Sequence, residues 1–297
     1  MATLWLFNST SCSGHKPVIG GQLLSVSKNT LCLRNPWVTD SVFMGKLYCA
    51  MIIALMTGFY PILLSDEAWN TYTFNPPLLI VTALSPFAFL PFLIYRIWFI
   101  KGLSSFCFNR STQKIYYQRL KKVFVFEWKN TGGGLFKRTE SGGSTFSTMY
   151  ALAFAPYRED GSLHQKDCLW VDSNEPTESD IKHVAEVWEY LRHFMNHGPD
   201  KLPPPVEPNW WHRPLHAICL TPAEAWRHYA PWRTGEPGEM QGKKNWQLPF
   251  WAVLFPYNLT LAICWYGICR LFNVRAAPPP PEAFEEAPDQ PSKRKRK

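Results

Sequence analysis

The sequence predicts an α+β membrane protein, and three observations lead to this prediction. Residues 47–64, 77–95 and 248–269 carry no charged side chain, and each run approaches the roughly 20 residues that cross the hydrocarbon core of a bilayer. Between the second and third runs, strand-like segments precede one amphipathic helix. Only 18% of the residues are charged and 46% are hydrophobic, which argues against a disordered chain and against a wholly soluble protein.

These patterns divide the chain into six segments. In chain order we predict a cytoplasmic N-terminal segment (1–46), a transmembrane helical hairpin (47–95), a β-rich module with a C-terminal helix (101–200), a proline- and tryptophan-rich connector (201–247), a third membrane segment (248–272) and a disordered tail (278–297). The predicted fold is therefore a helical hairpin, an antiparallel β module closed by one helix, and a C-terminal hydrophobic helix.

The basic residues around the hairpin predict its orientation. Cytoplasmic loops retain an excess of Lys and Arg, and the loop at 65–76 has none, although it contains Asp66 and Glu67. Basic residues flank the hairpin on both outer sides: Lys28, Arg34, Lys46, Arg96, Lys101 and Arg110. The N-terminus and the β module are therefore predicted to be cytoplasmic in a multi-pass protein, with a short outside loop.

Prolines interrupt the second and third runs. Pro86 and Pro91 predict a kinked second helix, because proline removes a backbone donor and clashes with the preceding turn. A transport pathway through this helix is disfavoured by the lack of acids and bases in all three runs. In the third run, Pro256 leaves two interpretations open, a kinked single span or a re-entrant hairpin.

Five strands are predicted in the β module. They lie at 105–108, 114–119, 123–128, 145–155 and 167–171, each bounded by turn-forming residues. The strand at 123–128 is apolar on both faces and is predicted to be central. Glycines at 132–134 and 142–143 flank Lys137 and Arg138. Because no G-x-x-x-x-G-K-[ST] motif is present, we interpret them as a flexible hairpin loop and not as a phosphate-binding loop.

A helix follows the strands. Residues 174–177 supply a stop and a cap, and Gly198 with Pro199 ends the helix. Its predicted buried stripe recurs at spacings of three and four, at Ile181, Val184, Trp188, Leu191 and Met195. His193 and His197 are four residues apart. They lie near the C-terminal end of the helix, where positive charge is favourable, and this position indicates a structural role and not a metal site.

The cysteine pattern predicts free, reduced thiols. The chain has eight cysteines and no C-x-x-C pair: Cys12, Cys32, Cys49, Cys107, Cys168, Cys219, Cys264 and Cys269. Neither the spacing of a zinc site nor a disulfide framework is apparent. We therefore expect a reducing, cytoplasmic environment for the soluble parts.

The connector carries the candidate binding residues. Trp210 and Trp211 follow a stiff proline segment and are predicted to be exposed anchors for a partner. His212, His216 and His228 could be drawn as a zinc site, but no acid completes the set. A tryptophan, histidine and arginine belt at the membrane surface is favoured instead.

No cofactor, metal site or catalytic motif is predicted, so the protein is not expected to be an enzyme. Glu127 and Asp172 lie on or beside predicted strands without identified partners. The tail ends in five basic residues, 293–297. The membrane segments argue that this tail contacts anionic lipid and not nucleic acid.

Two resemblances refine these predictions. The segments 108–117 and 123–128, followed by strands and one helix, resemble the pleckstrin-homology-like modules of bacterial membrane proteins, although five strands are apparent where such barrels have seven. The segments 187–191, 194–199 and 220–226 resemble an uncharacterised family of proteobacterial inner-membrane proteins, encoded beside type VI secretion effectors. The second resemblance covers about residues 40–275 and implies an inner-membrane immunity or accessory protein whose partner is encoded nearby.

Three functional hypotheses follow. The favoured one is a membrane-anchored, non-enzymatic binding or immunity protein that needs the bilayer and a protein partner. The second is a small transporter or channel subunit, which requires a polar path through the spans. The third is a membrane enzyme, for which His212, Arg213, His216 and His228 are the candidates.

Overall fold

The computed structural model describes residues 3–63, 76–141, 146–163, 169–172, 181–206, 210, 213–239 and 248–286. The chain forms two compact units. The first, which we call the β module, comprises Met1–Pro36, Leu103–Pro208 and Ala277–Lys297, and the second, the helical unit, comprises Trp37–Gly102 and Asn209–Ala276. Two antiparallel sheets and several helices confirm the predicted α+β class.

The described strands, in chain order, are β1 (Leu4–Asn8), β2 (Leu23–Val26), β3 (Thr30–Leu33), β4 (Phe106–Asn109), β5 (Lys114–Arg119), β6 (Lys122–Glu127), β7 (Thr131–Ser141), β8 (Phe146–Pro156) and β9 (Leu169–Asp172). The described helices are α1 (Pro36–Leu63), α2 (Pro76–Leu84), α3 (Leu90–Lys101), α4 (Ile181–His197), α5 (Arg213–His216), α6 (Pro222–Tyr229) and α7 (Leu248–Leu271).

The β module consists of two antiparallel sheets and α4. One sheet has the order β2-β3-β4-β5-β6 and the other has the order β1-β7-β8-β9. Aromatic side chains meet where the sheets pack: the ring of Phe154 on β8 lies 5.5 Å from that of Phe106 and 5.8 Å from that of Phe108. Edge-to-face rings at such distances add to the stabilisation from burial alone.

The first 36 residues contribute strands to this module, so the prediction of a separate N-terminal segment at 1–46 is wrong. β3 pairs with β4 and is buried at every position. β1 pairs with β7 and contributes to the other sheet. The sequence pattern did not indicate these strands because β3 is only four residues long and its partner β4 lies more than 70 residues away.

The glycine-rich segment is a strand and not a flexible loop. Gly132, Gly133 and Gly134 all lie in β7, which pairs along its whole length with β8. A Cβ atom on Gly133 would lie 2.6 Å from the ring of Trp188, and one on Gly134 would lie 2.7 Å from the carbonyl oxygen of Leu4. The glycines are therefore required for the close approach of α4 and β1. The second glycine pair, 142–143, lies outside the described residues.

The strand predicted to be central is an edge strand. β6 pairs with β5 and is the last strand in its sheet. Its Val123 and Val125 are 45% and 48% exposed, whereas Phe126 on the other face is buried. An apolar pattern on both faces therefore did not indicate burial on both faces.

The structure confirms the predicted stripe of α4 except at its first residue. Val184, Trp188, Leu191 and Met195 are buried, whereas Ile181 is 48% exposed. At the other end Gly198 has a φ of 86° and donates its N–H to the carbonyl of Phe194, 2.9 Å away, as glycine does after many helices. The predicted caps at 174–177 lie outside the described residues.

The helical unit contains the three hydrophobic runs, with different boundaries. α1 begins at Pro36, well before the predicted start at residue 47. The second run is broken into α2 and α3 by a 3-10 turn, Ser85–Phe89, which contains Pro86, so the predicted interruption is confirmed. α7 continues through Pro256 as one helix, so the chain does not turn back at Pro256 as a re-entrant hairpin would. Pro36–Gly58 and Pro249–Leu271 are long and apolar enough to cross a membrane.

Part of the predicted disordered tail is ordered on the β module. A 3-10 turn, Pro281–Phe284, lies beside β4. The side chain of Asn109 donates to the carbonyl oxygens of Ala283, at 3.0 Å, and Glu285, at 2.8 Å. Disorder from residue 278 is therefore wrong as far as residue 286, and residues 287–297 lie outside the described residues.

Two cysteines form a disulfide, which corrects the prediction that all are free. The register of β3 and β4 places Cys32 directly opposite Cys107, and the two are bonded. No sequence spacing indicates such a pair, because residues 75 positions apart meet only through strand pairing. Of the other described cysteines, the free ones are Cys12, Cys49, Cys219, Cys264 and Cys269, and Cys168 lies outside the described residues.

Candidate functional site

A buried polar cluster lies in the helical unit, and we call it the Glu236 cluster. It consists of Trp210, Arg213, His228 and Glu236. Glu236 accepts a hydrogen bond from the indole N–H of Trp210 at 3.0 Å. The same carboxylate lies 3.3 Å from Nδ1 of His228 and 3.1 Å from a guanidinium nitrogen of Arg213. One acid thus contacts three side chains that come from different parts of the connector.

A short, well-capped helix positions His228. Thr221 accepts a hydrogen bond from the backbone N–H of Glu224, and the Glu224 carboxylate accepts one from the backbone N–H of Thr221 at 2.8 Å. This reciprocal capping box fixes the start of α6, with Pro222 in the first turn. His228 follows in the last turn of α6.

A second carboxylate fixes the turn that carries Glu236. Glu239 accepts hydrogen bonds from the backbone N–H groups of Thr234, at 2.8 Å, and Gly235, at 2.7 Å. Gly235 has a φ of 79°, a conformation that glycine adopts without the steric cost of a side chain. The turn therefore holds Glu236 towards α6 through bonds that do not involve the Glu236 side chain.

Burial determines what the Glu236 cluster can do. Trp210 and His228 are 1% and 2% exposed, and their rings stack with centroids 4.1 Å apart. The side chain of Glu236 is almost fully buried, whereas that of Arg213 is partly exposed. A buried carboxylate is costly unless it is paired, and Arg213 supplies the pairing charge. Beside the cluster, burial raises the pKa of Tyr229 to about 12, so this phenol stays neutral at physiological pH.

The structure assembles some of the residues that the sequence analysis selected. It brings together Trp210, Arg213 and His228. The prediction that Trp210 is exposed is wrong, because α6 and the indole bond to Glu236 enclose it. Trp211, the other predicted anchor, lies outside the described residues, as does His212. His216 ends α5.

Glu236 was not among the predicted site residues, and the histidine set was expected to lack an acid. The available signal was an acid within a glycine- and proline-rich turn, eight residues after His228. Within the described residues, no group of three or more His, Cys, Asp or Glu side chains lies close enough to hold a metal ion.

A second buried carboxylate stabilises the β module. Glu189 on α4 accepts a hydrogen bond from the backbone N–H of Ser13 at 2.6 Å and one from Arg192 at 2.8 Å. Burial raises the pKa of the Glu189 carboxyl, but the bonds from Arg192 and Ser13 outweigh burial and hold this pKa below its usual value. The pair therefore attaches the segment after β1 to α4.

The structure places the other candidate residues on different elements of the β module. The rings of His193 and His197 are 5.0 Å apart, and burial together with His197 lowers the pKa of His193. Glu127 is exposed on β6, and Asp172 is the last residue of β9. Lys137 and Arg138 lie in the paired strand β7, so the glycines beside them do not form a phosphate-binding loop.

Exposed aromatic side chains form a second surface in the helical unit. Trp226 on α6 lies 5.8 Å from Trp232 and 4.9 Å from Phe255 on α7, measured between ring centroids. Both tryptophans are exposed. Tryptophan is enriched at the headgroup level of membranes, so this surface is typical of a membrane interface.

Comparisons with known proteins give one match. The model of the family described as "Family of unknown function (DUF6708)" matches residues 84–280, about two thirds of the chain. No curated protein matches the chain. No solved structure matches it either.

Proposed function

The chain belongs to the DUF6708 family, and for this member we propose a non-enzymatic membrane protein that binds a protein partner through its β module. The observation that carries the proposal is the difference in surface between the two units. The helical unit exposes large apolar side chains along its helices, whereas the β module buries a core of its own. An anchor and a binding module are the roles that fit these two surfaces.

The exposed apolar side chains support membrane insertion. They occur along α1, α3 and α7 and include Phe43, Leu47, Met51, Phe92, Ile94, Trp98, Phe250, Val253, Tyr257 and Leu271. Soluble monomers rarely expose apolar patches of more than a few hundred Å². Together with Trp226 and Trp232, these residues provide both a lipid-facing surface and an interfacial anchor.

The Glu236 cluster supports a non-enzymatic role. The stacked ring of Trp210 covers His228, and Arg213 neutralises the carboxylate that His228 contacts. General acid–base catalysis needs a group within hydrogen-bond reach of a substrate. An enclosed His and Glu pair of this kind stabilises a loop more readily than it reaches a substrate.

The β module supports the pleckstrin-like part of the proposal. Two antiparallel sheets and one helix are similar to the architecture that the resemblance implies, although the described sheets have nine strands where such barrels have seven. Such a module presents loops and edges on a rigid scaffold, where binding residues commonly lie. A stable complex requires about 1,000 Å² of buried surface in total.

The specific role that we propose is immunity or accessory function towards a type VI secretion effector encoded nearby. A strain that lacks this chain is challenged with the product of the neighbouring gene, and complementation should restore survival. The matched variant is Trp188→Ala, which removes one fully buried side chain from the core of the β module. This variant should abolish protection while leaving the helical unit in the membrane. Equal survival with and without the chain would contradict the immunity role.

Orientation is the second part of the proposal. The Lys and Arg distribution favours a β module on the cytoplasmic side of a bacterial inner membrane. The Cys32–Cys107 disulfide favours an oxidising compartment. We propose the cytoplasmic orientation, in which this disulfide is reduced in the cell and forms on oxidation.

Cysteine labelling in intact cells tests the orientation. In a Cys12→Ser background, Glu159→Cys reports on the β module and Glu67→Cys on the loop between α1 and α2. The proposal expects an impermeant maleimide to label only Glu67→Cys. Labelling of Glu159→Cys alone, with Cys32 and Cys107 found oxidised in cells, would place the module outside.

One observation favours a transporter or channel subunit as a second candidate. The candidate span in α1 contains Asp40 and Lys46, which lie outside the charge-free run used in the sequence analysis. Asp40 pairs with Arg96 of α3 at 3.3 Å, and Lys46 donates to the carbonyl oxygen of Pro214. Ion flux into proteoliposomes that carry the native chain, reduced by Asp40→Asn, would support this candidate over the binding protein.

A further inference from the structure

We infer that the free edge of β6 is a pairing surface for β6 of a second copy of this chain. The resulting dimer would join two five-stranded sheets into one continuous antiparallel sheet. The inference rests on the exposure of β6, on its apolar composition and on the self-complementary pattern of its residues.

The outer edge of β6 is unpaired in the described structure. β6 is the terminal strand of its sheet, and its ladder runs from Lys114↔Glu127 to Arg119↔Lys122 with β5 alone. Unpaired N–H and C=O groups on an edge form a template for another strand. The four central residues of β6 are Val-Phe-Val-Phe, with neither a proline nor a central charge to oppose pairing.

Two-fold symmetry restricts how two β6 strands can pair. A two-fold axis perpendicular to the sheet places a given residue on the same face in both copies. Residues directly opposite in an antiparallel pair also point to the same face. Opposed residues must therefore differ in number by zero, two, four or six, and only registers centred on a residue are allowed.

The register centred on Phe124 is self-complementary. It places Val123 opposite Val125 of the second copy and Lys121, the residue before β6, opposite Glu127. All four residues are exposed in the described structure; Val123, Val125 and Glu127 share the outer face of β6, and Lys121 lies in the turn directly before it. The outer face would thus contain two valine pairs flanked by an ion pair at each end, and cross-strand pairs of both kinds stabilise sheets.

The next allowed register is unfavourable. Centring on Val125 would place Val123 opposite Glu127, and the position opposite Lys121 would fall at Lys129, in the 3-10 turn after β6. An apolar side chain would then face an acid, and Lys121 would have no acid opposite it. Charge complementarity therefore favours the Phe124 register over this one, and a second copy of the chain provides it without any other partner.

Cysteine cross-linking tests the register on the full chain in detergent and in native membranes, in a Cys12→Ser background. Two Phe124→Cys residues would lie on the two-fold axis, with Cβ atoms about 4.5 to 5.5 Å apart, close enough for a disulfide after small adjustment. Val125→Cys is the matched control, because residue 125 lies opposite residue 123 in this register. Dimer cross-linking through Phe124→Cys and not through Val125→Cys is expected, and the reverse result would overturn the register.

Charge reversal tests the same pairing without altering the core. Lys121→Glu and Glu127→Lys should each weaken dimerisation about tenfold, because each creates two like-charge pairs. The double variant Lys121→Glu with Glu127→Lys restores both ion pairs and should recover the native dissociation constant. Lys129→Glu is the control, because Lys129 lies in the 3-10 turn Trp128–Asn130 and therefore outside the paired stretch of β6.

Analytical ultracentrifugation in detergent measures the dissociation constants, and near-UV circular dichroism confirms that each variant is folded. A native chain that remains monomeric at every concentration, or a double variant as weak as the singles, would overturn the inference.

Discussion

The β module and the helical unit differ in where their large apolar side chains lie. In the β module, Trp128 and Trp188 are 1% and 0% exposed. In the helical unit Val253 is 75% exposed, while Glu236 and His228 are buried. Exposed apolar side chains of this size favour contact with lipid or with another protein. The comparison teaches that the two units differ in their surfaces, since both bury tryptophans in their interiors.

The difference also predicts which substitutions will lower the stability of each unit. Aromatic packing dominates the β module, so loss of one buried ring should have a large effect there. The interior of the helical unit also contains the paired polar groups of the Glu236 cluster, so loss of one partner should destabilise this unit by leaving the others unpaired.

The largest expected effect is that of Trp188→Ala. Trp188 packs against Trp128, with ring centroids 5.1 Å apart, and over Gly133. Removal of a buried tryptophan should lower the free energy of unfolding of the β module by about 3 to 5 kcal/mol. Ile181→Ala, on the exposed end of the same helix, is the control and should cost much less. Thermal unfolding of the full chain in detergent measures both, and equal midpoints for the two variants would contradict the assigned core.

Glu236→Gln should have the next largest effect, confined to the helical unit. The amide retains the shape of the side chain but leaves Arg213 without its counter-charge, at a cost of about 1 to 3 kcal/mol. Hydrogen exchange should show faster exchange in α6 and unchanged exchange in β8. Arg233→Gln, an exposed change nearby, is the control. Faster exchange in β8 as well would contradict the prediction that the effect is confined to the helical unit.

Glu189 predicts acid sensitivity of the β module. Because the folded pKa of Glu189 is depressed, the carboxylate stabilises the fold above its unfolded pKa, near 4.3, and this stabilisation is lost as pH falls through the lower folded pKa. At neutral pH, Glu189→Gln should cost about 1 to 2 kcal/mol, and this difference should vanish in acid. Unfolding midpoints from pH 7 to pH 3 test this, with Glu159→Gln as an exposed control. A constant difference across this range would show that Glu189 acts by shape alone.

Thr221→Ala should have the smallest effect, about 1 kcal/mol, because it removes the capping box of α6. Thr221→Ser keeps the hydroxyl and should restore most of the stability. Hydrogen exchange at the first turn of α6 is the measurement. No change in either variant would mean that packing on α7 alone holds the helix.

The sequence predicted the elements whose signals are local. The strands β4, β5 and β6 and the end of α4 at Gly198 agree with their turn and cap residues to within about two positions. β7 was missed because its glycines oppose a strand by propensity, and only the ring of Trp188 above Gly133 explains them. The edge position of β6 was also beyond local pattern, since the sheet order depends on distant strands.

The same limit applies to the candidate site. Trp210, Arg213 and His228 were predicted as candidates, because tryptophan, arginine and histidine near a membrane segment are typical of a membrane interface. Glu236 was missed because its role depends on a turn that Glu239 fixes through backbone hydrogen bonds. Such a contact cannot be derived from spacing alone.

The pairing of β3 with β4 has a consequence for synthesis. The chain leaves the β module after β3, forms α1 to α3, and returns at β4, where the side chain of Asn35 donates to the carbonyl oxygen of Ser104 at 3.0 Å. About 70 residues separate the two strands, so a ribosome working at 5–20 residues per second needs on the order of ten seconds to supply the partner of β3. During that interval β2 and β3 are already synthesised, but β4, the strand that pairs with β3, is not. The helices α1 to α3 can therefore form before the sheet closes, and the β module cannot fold completely until synthesis has passed them.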